Sequence, residues 1–270
     1  MTLRAIERRC LRHLLDILEA VGVGHTGGSL SVLQTLVALY FDVARVDPQR
    51  PTWADRDRII LSKGHACEAM YAVLAERGFF PPERLREYLR FGSSLQGHTE
   101  ICTPGVEYSG GSLGQGLGFA CGLAYAGRLR GQSHRVFCVM GDGECHEGSV
   151  WEAAMFAAHY RLDRVYAIVD YNHYADHDDV DVLMNLQPFQ AKWEQFGWET
   201  AYVEQGNDVQ RLVQALRGFR RTGKPKCLIA DTLKNYGVPS WAAQHLHQAA
   251  GEVLHAGLRE GRALLDAEGR

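Results

Sequence analysis

An alternation of strand and helix patterns, with polar residues after each strand, most constrains the fold of this chain. The apolar residues 135–140 predict a first strand, and the glycine-flanked turn 141–144 follows it. Apolar residues recur at helical spacing over 150–158, and a second β-rich run covers 165–169 before the polar residues 170–172. This order predicts a strand, helix, strand unit with parallel strands.

Two of the polar residues have the chemistry of a metal site. Parallel strands joined by a helix end at the same edge of their sheet, where open α/β sheets bind ligands, so Asp142 and Asn172 are expected to converge. A carboxylate and an amide oxygen give Mg²⁺ two protein ligands and leave its other positions for phosphate oxygens and water. Gly143 would let the backbone approach such a phosphate.

Further patterns predict an α/β protein, and 270 residues are enough for one large domain of this class. Other helices are predicted at 4–21, 66–77, 112–129 and 209–217, and other strands at 58–62, 199–203 and 227–231. The segment 91–111 is irregular and has the composition of an active-site loop. The helix at 112–129 is rich in glycine and alanine, which favours close packing against another backbone.

Residues 22–27 match the Gly-x-Gly-x-x-Gly fingerprint of dinucleotide-binding proteins. That fingerprint must follow a strand and open a helix, because the diphosphate binds where the strand ends. Here the match follows the predicted helix at 4–21, so a nicotinamide site is not expected.

The composition excludes several classes of function. A net charge of -3, with scattered Lys and Arg residues, gives no basic surface for nucleic acid. No apolar run approaches the ~20 residues of a membrane span, and the first residues lack the apolar stretch of a signal peptide, so a cytoplasmic protein is expected. Seven cysteines without close pairing disfavour a disulfide framework or a zinc site and indicate buried thiols.

The order of motifs closely resembles the transketolase family. Residues 141–144, 147–148, 151–153 and 170–172 together are similar to its thiamine diphosphate motif. Other landmarks occur in the family's order over nearly all of the chain, namely Gly24-His25-Thr26-Gly27-Gly28-Ser29-Leu30-Ser31, Asp55-Arg56-Asp57-Arg58, Leu61-Ser62-Lys63-Gly64-His65-Ala66, Gly97-His98, Thr103-Pro104-Gly105-Val106-Glu107 and Gly111-Ser112-Leu113-Gly114-Gln115-Gly116-Leu117.

This resemblance implies the thiamine diphosphate-binding fold, a doubly wound and mostly parallel sheet with helices on both faces. It implies thiamine diphosphate and Mg²⁺ as cofactors, and transfer of a two-carbon ketol unit between sugars or sugar phosphates. Residues 1–270 would be a single cofactor-phosphate domain. The pyrimidine-binding and carboxyl-terminal domains of the family are expected on a second subunit, which would also carry the catalytic glutamate, in an α2β2 heterotetramer.

The resemblance also assigns roles to individual residues. The metal would be held by Asp142, Asn172 and the backbone carbonyl of Tyr174. The substrate channel would be lined by His25 and His98. The remaining cofactor residues would be His65, Gly111, Leu113, Gly141, Gly143, Glu144 and a late histidine, which is assigned to His247 with His245 as the alternative.

The sequence departs from the family directly after Asn172. Transketolases usually continue Gly-Leu-Gln-Ile-Asp-Gly, whereas this chain reads His173-Tyr174-Ala175-Asp176-His177-Asp178. Asp176 replaces an apolar residue that lies against the cofactor, and a buried carboxylate there would be unfavourable unless paired or protonated. One hypothesis is an unusual sugar donor. Another is that His173 and His177 are metal ligands at helical spacing.

Two other functions compete with the transketolase interpretation. The chain can be a subunit of another thiamine enzyme, such as a 2-oxo acid dehydrogenase or a deoxyxylulose phosphate synthase. It can also be a non-catalytic assembly subunit, which the altered segment after Asn172 makes conceivable. Glu144, His98 and the segments 147–148 and 151–153 fit transketolase better than the other enzymes.

Overall fold

The computed structural model describes residues 1–267, in which helices and short strands alternate along the chain. In chain order the elements are α1 (Leu3–Val21), β1 (Val23–Gly24), α2 (Thr26–Ala38), β2 (Arg58–Leu61), α3 (Cys67–Arg77), α4 (Gln115–Leu129), β3 (Val136–Gly141), α5 (Gly148–His159), β4 (Val165–Tyr171), β5 (Tyr174–Ala175), β6 (Asp178–Asp179), α6 (Val180–Met184), α7 (Phe189–Gln195), β7 (Glu199–Val203), α8 (Val209–Gly218), β8 (Lys226–Asp231), α9 (Pro239–Ala242), β9 (Ala249–Ala250) and α10 (Gly251–Ala267).

Five of these strands form a central sheet in the order β2-β3-β4-β8-β7, and every neighbouring pair is parallel. Gly141 is opposite Asp170 across β3 and β4, and Asp170 is opposite Ala230 across β4 and β8. The carboxyl ends of these three strands are therefore level, so the residues that follow them lie along one edge. The predicted parallel sheet is confirmed.

Side chains of the central strands alternate between two apolar layers. Val139 and Ile168 pack in one layer, whereas their neighbours Cys138 and Val169 pack in the other. Successive side chains of a strand point to opposite faces, so a strand buried on both faces has a continuous apolar run. The first layer also contains residues of α1, α2, α3, α8 and α10, and the second contains residues of α4, α5 and α7. The prediction of helices on both faces is confirmed.

The boundaries of the predicted elements agree with the structure to within about two residues, except at one helix. The helix predicted at 112–129 begins only at Gln115, because Gly114 has a left-handed backbone with φ 81°. A Cβ at Gly114 would lie 2.6 Å from the Cβ of Glu147, so this close approach requires glycine. Helices α2, α6, α7, α9 and α10 were not predicted.

The segment that matches the dinucleotide fingerprint follows α1, as expected from the sequence. Gly22 ends α1 with φ 78° and donates its amide to the Leu18 carbonyl at 2.9 Å. The two-residue β1 pairs with β9 in antiparallel fashion, outside the central sheet. The fingerprint therefore lacks the preceding parallel strand that a nicotinamide site requires.

All seven cysteines are free thiols; six are buried and Cys102 is exposed. The prediction of buried thiols is confirmed for these six. Within residues 1–267, no helix has both the length and the apolar character needed to cross a membrane.

Candidate cofactor and catalytic site

The candidate metal ligands lie at the ends of β3 and β4. Asp142 is 1% exposed, and its Oδ1 accepts from the Gly143 amide at 2.8 Å while its Oδ2 accepts from the His173 amide at 2.7 Å. Asn172 Oδ1 accepts from the Tyr174 amide at 3.1 Å. Asp142 and Asn172 thus accept hydrogen bonds from successive amides of one short segment.

The environment of Asp142 favours a bound cation. Burial and the nearby Asp170 raise the pKa of Asp142 to about 7. Each Asp142 oxygen accepts one N–H and retains a further lone pair, and the same is true of Asn172 Oδ1. These oxygens form a donor set for a hard divalent ion, so the residues present fit magnesium.

A second buried carboxylate, Asp170, joins segments around the metal ligands. Its Oδ2 accepts from Ser31 Oγ at 2.6 Å and from Lys63 Nζ, while its Oδ1 accepts from Thr232 Oγ1 at 2.6 Å. Ser31 Oγ in turn accepts from Asn172 Nδ2 at 3.2 Å. These partners come from α2, from the turn after β2 and from the end of β8, so Asp170 fixes the strand ends relative to one another.

Two buried lysines give the site positive charge. Lys63 and Lys234 are each 2% exposed. Lys63 forms an ion pair with Asp170, whereas Lys234 Nζ donates to the backbone carbonyl of Asp176. Burial and the charge of Lys63 lower the pKa of Lys234 to about 8. A bound anion would relieve both effects, so the surroundings of Lys234 fit a diphosphate group.

Four histidines from separate segments form one cluster. The ring centroid of His25 lies 5.6 Å from that of His65, 5.8 Å from that of His98 and 5.5 Å from that of His247. His65 and His247 are 5.4 Å apart. The fold brings together the start of α2, the turn after β2, the loop before α4 and the segment before β9.

Burial favours the neutral form of three clustered histidines. It lowers the pKa of His65 well below its usual value, and the charge of Lys63 adds to this effect. Burial also lowers the pKa of His247 to about 4 and lowers the pKa of His25. A neutral imidazole has one N–H donor and one acceptor nitrogen, so each of these rings can donate and accept hydrogen bonds near pH 7.

Comparison with known proteins identifies the family that has this site. The sequence model described as "Transketolase, thiamine diphosphate binding domain" matches residues 4–258. This chain belongs to the transketolase family. The identification from the order of motifs is confirmed, and the matched part of the family is its thiamine diphosphate-binding domain.

Two bacterial relatives are transketolase subunits. The 6-deoxy-6-sulfo-D-fructose transketolase subunit of Clostridium sp. (strain MSTE9) is 40% identical over 225 residues, which are 83% of this chain and 82% of the relative. A subunit of the apulose-4-phosphate transketolase of Phocaeicola vulgatus is 37% identical over 238 residues, or 88% of this chain and 84% of the relative. These matches agree with the identification as an amino-terminal subunit of a split transketolase.

Solved transketolases have the same fold. The enzyme from Leishmania mexicana has a TM-score of 0.83 and 27% identity, and the match covers 99% of this chain but 45% of that chain. The enzyme from Campylobacter jejuni has a TM-score of 0.83 and 26% identity, with 99% of this chain and 48% of that chain covered. The present chain therefore spans about half the length of these transketolases, and its fold is that of their thiamine diphosphate-binding part.

Gly111 and Leu113, which the transketolase resemblance assigns to the aminopyrimidine, lie in the stretch before α4. A Cβ at the adjacent Gly110 would lie 3.0 Å from the Cα of Gly64, so this stretch runs directly against the backbone next to His65. Gly111 and Leu113 themselves are exposed in this chain. They follow Gly110 along the chain and lie on the surface.

Glu144, another candidate cofactor residue, joins three backbone segments. Its Oε1 accepts from the Gly114 amide at 2.8 Å and from the Ser62 hydroxyl, and its Oε2 accepts from the Gly141 amide at 3.1 Å. Burial raises the pKa of Glu144 against the opposing effect of these hydrogen bonds. Because its oxygens face protein donors, Glu144 would act on a cofactor through Gly141 and the stretch before α4.

The two late histidines occupy different places. His247 belongs to the histidine cluster, whereas His245 stacks on Tyr174 with ring centroids 4.3 Å apart. The Tyr174 hydroxyl lies 3.1 Å from His245 Nε2. Of the two alternatives, His247 is the one that lies with the histidines of the other transketolase motifs.

The segment that departs from the transketolase pattern forms a hairpin of β5 and β6. Asp176, in its turn, has φ 58° and a side chain that is 70% exposed, so its carboxylate is not buried in this chain. His173 Nε2 lies 2.8 Å from Asp231 Oδ1, whereas His177 Nε2 lies 3.6 Å from Asp176 Oδ1. The hypothesis of a metal pair on one helix face is therefore wrong. Within residues 1–267, no group of three His, Cys, Asp or Glu side chains is arranged to hold a metal.

The sequence interpretation missed the roles of Lys63, Asp170 and Lys234. Lys63 and Asp170 lie inside motifs at the ends of two strands, so their opposite charges were a usable signal for an ion pair. Lys234 gave no such signal, because it donates to a backbone carbonyl, which any residue has.

Proposed function

We propose that this chain is the thiamine diphosphate- and magnesium-binding subunit of a transketolase that acts with a second polypeptide. The enzyme transfers a two-carbon ketol unit from a ketose donor to an aldose acceptor, each a sugar or a sugar phosphate. The observation that carries the proposal is the convergence of Asp142 and Asn172 oxygens on the amides of residues 173 and 174. A carboxylate and an amide oxygen at two strand ends suit a magnesium ion that also binds a diphosphate.

In this proposal, magnesium is held by Asp142, Asn172 and the backbone carbonyl of Tyr174. Gly143 and Lys234 would hold the diphosphate, which would neutralise the buried charge of Lys234. Thiamine diphosphate, when bound, supplies an electron sink that stabilises negative charge on the transferred carbon atoms. Gly111 and Leu113 face the aminopyrimidine, and Gly141 and Glu144 keep the adjoining backbone in place.

The chain itself orients the sugar and moves its protons. His25 and His98 hydrogen-bond hydroxyl groups of the donor, and a neutral ring nitrogen accepts a hydroxyl proton during cleavage and returns it to the product. His65 lies next to Lys63, on the cofactor side of the cluster. His247, with a pKa of about 4, remains neutral at physiological pH and serves as a hydrogen-bond partner.

In this proposal, the second polypeptide supplies the domains of longer transketolases to which this chain has no matching part. The chain covers 82% and 84% of two subunits but 45% of the Leishmania mexicana enzyme. We assign residues 1–270 to the cofactor-phosphate domain and the pyrimidine-binding and carboxyl-terminal domains to the partner, in an α2β2 heterotetramer. Seven free thiols suit the reducing conditions of the cytoplasm, where we place the enzyme.

Calorimetric titration of thiamine diphosphate into the chain, co-purified with a partner that has a pyrimidine-binding domain, tests the proposal. Binding is expected to require Mg²⁺ and to weaken at least about 100-fold in Asp142→Ala and Asn172→Ala, since outer-shell changes alone cost about 10 to 100-fold. Asp266→Ala is the matched control. Asp266 pairs with Arg12 on the surface, where both side chains are more than half exposed, so its loss is expected to leave binding unchanged.

Product analysis separates the competing functions. A ketose donor and an aldose acceptor are expected to give the ketol-transfer product with the pair, and no product with this chain alone. Turnover of pyruvate instead would indicate another thiamine enzyme. If the pair does not bind thiamine diphosphate, or if Asp142→Ala and Asn172→Ala bind it as well as the control Asp266→Ala does, the metal site is contradicted. Such a result would favour an assembly subunit.

A further inference from the structure

A buried glutamate in α3 lies directly beneath the histidine cluster. Glu68 is fully buried, and its Oε1 accepts from the His25 amide at 2.9 Å and from the Tyr88 hydroxyl at 2.8 Å. Its Oε2 accepts from the Ser29 hydroxyl at 2.7 Å. A carboxylate removed from water needs both hydrogen bonds and a nearby positive charge, and all of these donors are neutral.

Among the described residues, the ring of His25 is the only basic side chain at ion-pair distance from Glu68. Its Nδ1 lies 4.0 Å from Glu68 Oε1. His25 Nδ1 is itself buried and has no hydrogen-bond partner. A small rotation of the ring would let Nδ1 donate to Glu68 Oε1, which would give this nitrogen a partner.

The contact of the second ring nitrogen, Nε2, indicates which nitrogen of His25 carries the proton. The side-chain amide nitrogen of Gln248 lies 2.8 Å from His25 Nε2. An amide nitrogen only donates, so Nε2 accepts, and the proton of the neutral ring is on Nδ1, towards Glu68. The lone pair of Nε2 therefore faces outward, where a substrate hydroxyl can replace the amide of Gln248.

The backbone before His25 is shaped to admit the carboxylate. A Cβ at Gly24 would lie 2.8 Å from Glu68 Oε1, which is closer than real Cβ contacts allow. The same Cβ would lie even closer to Leu18 Cδ2, so any residue other than glycine would have to move the side chains of both Leu18 and Glu68. Gly24 and Glu68 are 44 positions apart in the sequence, so only the fold reveals this fit.

We propose that Glu68 is a positioning residue that makes His25 a general base. Glu68 holds the proton on Nδ1, and Nε2 takes the proton of a substrate hydroxyl as its O–H bond breaks and an N–H bond forms. The resulting imidazolium is stabilised by the adjacent carboxylate, and the proton returns from Nε2 to the product in the reverse step. The part that concerns the substrate rests on the proposed function, whereas the state of the His25 ring does not.

Nuclear magnetic resonance of the full chain tests the ring directly. In the unsubstituted protein, ¹⁵N shifts are expected to show the proton on His25 Nδ1 when the ring is neutral, and a proton on Nε2 instead would overturn the proposal. The groups that face His25 are Glu68, His65, His98 and His247. In Glu68→Gln the midpoint of the His25 titration is expected to move to lower pH, because the only anion among these groups is removed.

Tyr88→Phe is the matched control, since it removes a donor from the same carboxylate but keeps the charge. Its His25 midpoint is expected not to fall, and an equal fall in both variants would show that packing alone is responsible. In the active pair, Glu68→Gln is expected to lower kcat at least about tenfold with little change in KM, as for partial loss of a general base. Unchanged kcat with a shifted midpoint would overturn the catalytic part, whereas the ring measurements stand even if the pair is not a transketolase.

Discussion

Asp57→Asn is expected to destabilise the fold, because one carboxylate holds two arginines at the start of the sheet. Asp57 is fully buried and directly precedes β2. Its Oδ2 accepts from the Arg45 amide at 2.8 Å, and its Oδ1 accepts from the Arg135 amide at 2.8 Å. The guanidinium groups of Arg45 and Arg135 approach the same carboxylate to 3.0 and 2.6 Å. Asp57 therefore joins the start of β3 to the segment before β2.

The magnitude follows from the burial of the three side chains. Asparagine has the shape of aspartate, but it removes the charge and turns an amide N–H2 towards arginine donors. Loss of one partner of a fully buried ion pair costs about 3 to 5 kcal/mol. The side chains of Arg45 and Arg135 are 42% and 28% exposed, so they can regain contact with water. We expect the free energy of unfolding to fall by about 2 to 3 kcal/mol.

Urea unfolding, followed by the fluorescence of the buried Trp193, Trp198 and Trp241, measures this loss as a lower midpoint with an unchanged slope. Burial acts to raise the pKa of Asp57, but hydrogen bonds from Arg45 and Arg135 outweigh it and hold the pKa below its usual value. A folded-state pKa below the unfolded value stabilises the protein above about pH 4, and this contribution is lost as the pH falls further.

The difference in the free energy of unfolding between the unsubstituted protein and Asp57→Asn is therefore expected to shrink below about pH 4. A loss of less than about 0.5 kcal/mol near neutral pH, where surface changes usually lie, would refute the reasoning. A difference that stays constant down to about pH 3 would also refute it, because the titration of Asp57 would then contribute nothing to the stability of the unsubstituted protein.

Two further predictions concern a surface thiol and the loop before the histidine cluster. Cys102 is the exposed cysteine among seven free thiols. A thiol reagent is therefore expected to modify one thiol rapidly in the folded chain and all seven after denaturation. Rapid reaction of a second thiol in the folded chain would contradict the burial of the other six. Asn235→Ala is expected to lower the free energy of unfolding by about 1 to 3 kcal/mol, because the Asn235 amide donates to the carbonyls of Leu246 at 2.8 Å and Trp241 at 3.3 Å and the substitution leaves both without this donor. Thermal unfolding measures the second effect, and an unchanged midpoint would show that water replaces these bonds.

Much of the fold could be predicted because its signals are local. The strands β3 and β4 are buried on both faces, so each is a continuous apolar run, and the spacing of α5 between them is helical. Helix α1 was predictable for a related reason, since its buried residues recur on one face. In contrast, every residue of α2 from Thr26 to Ala38 is buried, so its sequence has no polar face to reveal a helical period.

Some features of the candidate site could likewise be predicted from the sequence, whereas others needed the fold. Asp142 and Asn172 could be placed together from the sequence, because parallel strands joined by a helix must end at one edge. The ion pair of Lys63 with Asp170 spans 107 positions, and the contact of Glu68 with His25 spans 43, so neither could be read from spacing. The choice between His245 and His247 also needed the fold, because only ring distances separate them.

By itself, the sequence determined the family, the parallel strand ends and the residue types that can hold a metal and a diphosphate, because motif order and hydrophobic period are properties of the chain. Only the tertiary structure decided which histidines meet, that Asp176 is exposed and that Glu68 lies beneath His25. These depend on burial and on distances between remote segments, and packing sets both.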